Sequence, residues 1–153
     1  MSKMTQNGYI VDTDVLMKFY CHLGRPDILH RVLGGITVAE RVKREFEYHG
    51  FGPGKEDFTR DLAAGRIRTI DVSPAEDRVI AEYKTDFMHA GERDSAALAL
   101  THLYTLITDD RRAREDLMSA DLEVNDSRWI LKEAHSRRLI SQKEYKTLST
   151  TRR

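Results

Sequence analysis

Hydrophobic and polar positions alternate along the chain in two rhythms. Short apolar, β-favouring runs occur at Gly8–Val11, Ile36–Val38, Ile67–Val72, Leu103–Thr108 and Leu122–Val124, each the length of a strand. Helical spacing fills the gaps. Val15, Leu16, Met17, Phe19 and Tyr20 follow the first run, and a second short helix is expected over Arg25–Val32, ended by Gly34 and Gly35. Val38, Val42 and Phe46 recur every fourth residue, so the segment to Tyr48 reads as a helix with one buried stripe. Gly50–Gly54 reads as a loop, Lys55–Ala64 as a helix, and Ser73-Pro74 opens another towards Tyr83. Gly91–His102 is apolar on most faces and therefore largely buried, Arg111–Ser119 is helical, and Trp129, Leu131, Leu139 and Ile140 belong to closing helices at about 127–148. Ser149–Arg153 reads as a frayed tail.

Strands separated by helices predict a mainly parallel central sheet covered on both faces, a three-layer α/β/α sandwich. With 153 residues and no linker or repeat, 1–153 is expected to be a single domain. No apolar run reaches the length of a membrane span, and Met1–Asn7 lacks the apolar core of a secretory signal. Cys21 is the only cysteine, which removes a disulfide framework and favours a reducing, cytoplasmic setting. The 25 basic and 25 acidic residues cancel. A polyanionic partner must therefore be held by local clusters rather than by a global field.

The acids carry the candidate chemistry. Two apolar runs end in carboxylates, at Asp12 and at Asp109, where open α/β sheets place their ligands. Glu45 lies three residues after Val42 and so projects close to the buried stripe. Asp94 opens a helix with little polar surface to share. Such acids in one crevice would repel one another unless a cation lay between them, and oxygen-only ligands select a hard divalent ion, magnesium, manganese or calcium. The six histidines have no metal-ligand spacing. Plainer roles compete: Asp12, Asp14, Asp109 and Asp110 could cap helices, Glu92 and Asp94 could complement a helix dipole, and Glu45 could be a solvated charge beside Arg41 or Arg44. Arg111, Arg112 and Arg114 could hold flanking phosphates or merely decorate a helix, as could Arg41, Lys43, Arg44, Arg137 and Arg138. Gly50–Lys55 is not a phosphate loop, because Glu56 stands where serine or threonine is needed.

Taken in order, Tyr9-Ile-Val-Asp12-Thr-Asp14-Val-Leu16, Val42-Lys-Arg-Glu45-Phe46, Gly91-Glu-Arg-Asp94-Ser-Ala-Ala-Leu98 and Leu106-Ile-Thr-Asp109-Asp110-Arg-Arg-Ala-Arg114 resemble the PIN-domain family of metal-dependent ribonucleases, in its toxin-like VapC-type subgroup. The resemblance implies a PIN-like fold and an endoribonuclease using Mg2+ or Mn2+. It implies that Asp12, Glu45, Asp94 and Asp109 hold metal, supported by Thr108 or Asp110, with an RNA substrate, a cognate antitoxin and a homodimer as partners. Asp14 stands where such proteins usually carry asparagine or serine. Glu92 competes with Asp94 for the third acidic position, and Glu40 less strongly with Glu45. Two rivals remain. Asp12-Thr-Asp14 also resembles the nucleophile motif of haloacid-dehalogenase-like phosphatases, although the serine or threonine and the lysine that chemistry wants are not evident. The other rival is a non-catalytic PIN-like interaction module.

Overall fold

A computed structural model describes residues 8–83, 88–118 and 122–151. Met1–Asn7, Ser119 and the last two residues of the expected tail lie outside the described residues. In chain order the elements are β1 (Tyr9–Val11), α1 (Thr13–Met17) continued by a π-helical turn (Lys18–His22), α2 (Pro26–Leu33), β2 (Ile36–Ala39), α3 (Glu40–His49), α4 (Gly52–Ala63), β3 (Ile67–Ile70), α5 (Pro74–Ile80), α6 (Ala90–His102), β4 (Thr105–Ile107), α7 (Arg111–Met118), β5 (Val124–Asn125), α8 (Ser127–Ser136) and α9 (Gln142–Thr150).

The described strands form one sheet in the order β3-β2-β1-β4-β5, every pairing parallel. Burial follows position in that order. All of β2 and β4 and the inner residues of β1 are buried, as the largely apolar, charge-free runs require of central parallel strands, while the edge strands β3 and β5 are partly open. After climbing from β1 through β2 to β3 the chain returns to β4 on the other side of β1. Right-handed crossovers in opposite directions put the connecting helices on opposite faces. The β1–β4 junction is therefore the switch point, and both strands end there side by side, Val11 in register with Ile107.

Helix α6 packs on β1, β2 and β4 and against α3 and α5. Its buried stretch Ser95–Ala99 is small enough to let it lie close to the sheet, as the alanine-rich sequence predicts. Helix α8 covers α2 and is closed by α9.

Several boundaries differ from the sequence reading. The loop expected at Gly50–Gly54 is shorter, because α4 starts at Gly52 with Pro53 in its first turn. Gly54 there lies against the backbone of Tyr20 and Cys21, where a Cβ would collide with the Tyr20 carbonyl. The strand expected from Leu103 begins only at Thr105, since Leu103 ends α6 in the left-handed conformation (φ 58°). Leu139 and Ile140 lie between α8 and α9 rather than within them, Ile140 being buried.

Candidate functional site

At the switch point β1 hands directly to α1, and Asp12 is the cap between them. Its backbone N–H donates to the Ile107 carbonyl at 3.0 Å, which ties the ends of β1 and β4 together. Its side chain, only 2% exposed, accepts from the Thr13 backbone N–H on Oδ1 (2.7 Å) and from the Thr108 hydroxyl on Oδ2 (3.0 Å). Thr108 Oγ1 in turn accepts from the Asp110 N–H (3.2 Å), which leaves its own proton to point at Asp12. Burial pushes the Asp12 carboxyl up to about 7; the two hydrogen bonds oppose this, and the fields of Asp14 and Glu45 add to it.

Glu45 reaches the same place from α3. Its Oε1 accepts from the Thr13 hydroxyl at 2.8 Å, while Val42 and Phe46 on either side anchor the helix in the core. The first turn of α6 lies against it: a Cβ on Gly91 would land on the Glu45 carboxylate, so only glycine leaves that side chain in the place it holds here.

Glu92, one residue further along α6, faces Asp12 and Asp110. Burial is the main reason its carboxyl is pushed up to about 8, followed by the charges of Asp12 and Asp110, a proton-sharing contact with Asp110, and the charge of Asp14. Its Oε2 is buried without a hydrogen-bond partner. Asp110 has its Oδ1 on the Ala113 N–H at 3.0 Å, at the start of α7. Asp12, Asp14, Glu45, Glu92 and Asp110 therefore share one electrostatic neighbourhood, and the charges that most affect Asp12 and Glu92 are those of further acids.

A family profile, DUF3368, described as a PIN domain, matches residues 8–150. The chain belongs to the PIN-domain family. Among solved structures the PIN domain is similar to VapBC2 from Rickettsia felis, crystallised bound to a DNA fragment from their promoter, with 17% identity and a TM-score of 0.55 over 77% of this chain and 97% of that one. It is also similar to FitAcB from Neisseria gonorrhoeae, with 21% identity and a TM-score of 0.50 over 76% and 96%. These likenesses are of fold. No curated protein sequence matches the chain.

The two other acids singled out in this PIN domain point elsewhere. Asp94 lies two residues beyond Glu92, about 200° around the helix, and its Oδ2 accepts from Arg41 Nε at 3.0 Å. Asp109 turns towards α8: Oδ1 takes the Ser127 backbone N–H (2.8 Å) and Oδ2 the Ser127 hydroxyl (2.9 Å), which also accepts from Lys18 Nζ (3.0 Å). Both of its oxygens are thus occupied in fastening the start of α8. Asp14, in the first turn of α1, is exposed. Glu40 is paired with Lys43 at 3.7 Å. Arg111 and Arg112 are exposed at the start of α7, directly after Asp110.

Thr13 and Gly91 went unremarked as site residues in the sequence. A hydroxyl lying between two acids at a strand end was a usable signal for the first. The second needed the helix packing itself.

The donor set suits a hard divalent cation. Every candidate ligand is a carboxylate, two carboxyls are driven towards neutrality by burial and mutual repulsion, and one buried oxygen has no partner. Among the described residues no three such side chains are already drawn together as a closed ligand set. Among the described residues no helix is long and apolar enough to cross a membrane.

Proposed function

We propose that this PIN domain is a metal-dependent endoribonuclease whose ion, Mg2+ or Mn2+, is held by Asp12, Glu92 and Asp110, with Glu45 binding directly or through water. The observation that carries the reading is the acidic recess: a 2%-exposed carboxylate whose leading electrostatic neighbours are the further acids Asp14 and Glu45. Protein stability is poorly served by such a site, and cation binding explains it. When bound, a divalent ion supplies polarisation of the phosphodiester and a more acidic attacking water.

The chain's own groups do the positioning. Thr108 and the Thr13 N–H hold both oxygens of Asp12, Thr13 holds Glu45, and Gly91 admits Glu45 to the recess. Asp14, at the exposed rim, is a candidate for orienting water. Arg111 and Arg112, following Asp110 on α7, would contact the phosphates of the RNA. On this reading Asp109 and Asp94 support the site indirectly, through α8 and through Arg41. A phosphatase nucleophile at Asp12 is disfavoured, since the family profile that matches residues 8–150 is that of a PIN domain.

The resemblance to toxin-like members, and the fold shared with VapBC2 and FitAcB, support the further reading that the protein is the toxin of a toxin–antitoxin pair. It would act in the cytoplasm, inhibited by a cognate antitoxin and able to form a homodimer.

The test is to incubate the purified protein with labelled RNA and DNA in Mg2+, Mn2+ or chelator. Cleavage of RNA that chelator abolishes and Asp12→Asn removes is expected. Calorimetry showing that the unmodified protein binds neither ion would instead favour an interaction module.

A further inference from the structure

Beside the acidic recess, α3 carries a second surface that the proposed chemistry does not use. Arg41, Arg44 and Tyr48 follow one another at intervals of three and four residues, which lines them along one helical face. They form, with Glu45, His49 and Ala90, a cleft of about 320 Å³, at the lower end of the range of small-ligand sites. Tyr48 is 81% exposed, and its ring stands edge-to-face with that of His49, with centroids 4.8 Å apart at 88°. Arg44 is exposed. Arg41 gives its Nε to Asp94 yet remains half exposed. Glu45 belongs to both places: one end of the cleft is the wall of the recess.

An exposed aromatic ring with two guanidinium groups on the same face is the combination that single-stranded nucleic acid uses, because bases stack on rings whatever their sequence while cations track the backbone. The need is sharper here than in most such proteins. The chain's 25 acids cancel its 25 basic residues and several acids crowd the recess, so a polyanion approaching it meets repulsion unless cations stand at the entrance. One helical turn, about 5.4 Å, separates Glu45 from Arg41 on one side and from Tyr48 and His49 on the other, a spacing that one nucleotide can span.

We propose that this cleft holds the nucleotide next to the scissile phosphate of a single-stranded RNA, its base stacked on Tyr48 and its phosphates held by Arg44 and Arg41. The assignment rests on the ribonuclease reading above and adds where the substrate strand runs. It also makes Arg41 a link between strand and fold, since its pair with Asp94 ties α3 to α6 across the mouth of the recess.

The experiment is fluorescence anisotropy with a short labelled single-stranded RNA. The full chain carries Asp12→Asn to prevent turnover, alone and combined with Tyr48→Ala, Tyr48→Phe or Arg44→Glu. Tyr48→Ala is expected to weaken binding about tenfold, Tyr48→Phe to restore it, and Arg44→Glu to weaken it while reducing the slope of log affinity against log salt by about 1. Calorimetry on Tyr48→Ala in the otherwise unmodified chain should show unchanged Mn2+ affinity, separating the cleft from the ion site. RNA affinity within twofold of the background for both Tyr48→Ala and Arg44→Glu overturns the cleft while leaving the nuclease reading standing. Loss of a co-purified protein on Tyr48→Ala, with RNA affinity intact, overturns it in favour of a protein-docking surface. If the single Asp12→Asn chain and the unmodified chain both fail to bind RNA, the ribonuclease reading falls with it.

Discussion

Among the described residues two carboxylates are buried at almost equal depth, Asp61 at 6% exposure and Asp12 at 2%, and their surroundings are opposite. Asp61, near the C-terminus of α4, accepts the Tyr20 hydroxyl at 2.6 Å and Arg66 Nη1 at 3.2 Å, with His30 Nε2 at 3.3 Å. Burial and Asp61 both raise the Tyr20 hydroxyl's pKa, so it stays a donor, and burial lowers that of His30. The charge is answered within the protein. Around Asp12 the donors are one backbone N–H and one hydroxyl, and the nearby charges are further acids. Depth alone therefore says little about function; what separates the two is whether the fold supplies the counter-charge or leaves it to something from solution.

The widest separation comes from removing each charge in turn. Holding Asp12 at about 7 rather than its ordinary 3.8 corresponds to about 4 kcal/mol of destabilisation once it ionises, an upper figure that relaxation will reduce. Asp12→Asn is accordingly expected to raise the melting temperature at pH 8 in chelator while abolishing divalent-ion binding. Asp61→Asn should do the reverse, costing about 1–2 kcal/mol because the amide can still accept from the Tyr20 hydroxyl but loses its charge-assisted bond from Arg66, which is itself half exposed, and sparing ion affinity. Paired thermal melts and calorimetry check both. If both substitutions destabilise alike, the distinction between the two centres is lost.

The same contrast predicts a dependence on pH. Asp12 and Glu92 have folded-state values above their unfolded ones, so the folded protein binds more protons than the unfolded chain between about 4 and 8. Their contribution is fully present below about 4 and disappears as pH rises through about 7 for Asp12 and about 8 for Glu92. In chelator, stability should fall across that window. Saturating Mn2+ should flatten the fall by binding only the folded state. Denaturant melts at intervals of pH, with and without the ion, are the measurement; a profile unchanged by the ion would remove the cation from the account.

The contrast also shows what could be read from residue order. The apolar runs ending in acids at Asp12 and at Asp109-Asp110 are visible as strands because no charged residue interrupts them, and they are the central strands. Glu45 was legible as lying beside the stripe of Val42 and Phe46, and it faces Thr13. Side-chain direction between close neighbours was not legible. Gly91 and every residue from Ser95 to Ala99 are buried, so α6 shows no polar face that would say whether Glu92 or Asp94 turns inward. Asp109 and Asp110 are separated by a claim made 18 residues later, when Ser127 takes both oxygens of Asp109. Tyr20, His30, Asp61 and Arg66 are equally scattered in sequence, and no local pattern announces that they meet.

A narrower substitution sharpens the Asp61 side. Tyr20→Phe keeps the ring that stands edge-on to Phe46 and Phe58, with centroids 5.7 and 5.5 Å away, and removes only the hydroxyl. Asp61 then loses one donor and keeps Arg66, so about 1–2 kcal/mol of stability should go, without change in ion affinity.

The finest test lies at Gly91, where the two kinds of effect should come apart within one substitution. Alanine is the better helix former by about 1 kcal/mol, and Gly91 is the second residue of α6, so backbone propensity alone would stabilise Gly91→Ala. Its new Cβ, however, occupies the place of the Glu45 carboxylate. That side chain is flexible beyond its anchored helix and can swing away, giving up its bond to Thr13 rather than unfolding the α3–α6 contact. Thermal stability in chelator should therefore change by less than about 1 kcal/mol in either direction, while Mn2+ affinity falls about tenfold, as it does when a group that orients a metal site is disturbed. Melting and calorimetry on the same preparation read the two separately. Undiminished ion affinity in Gly91→Ala would mean that Glu45 borders the recess without helping to fill it.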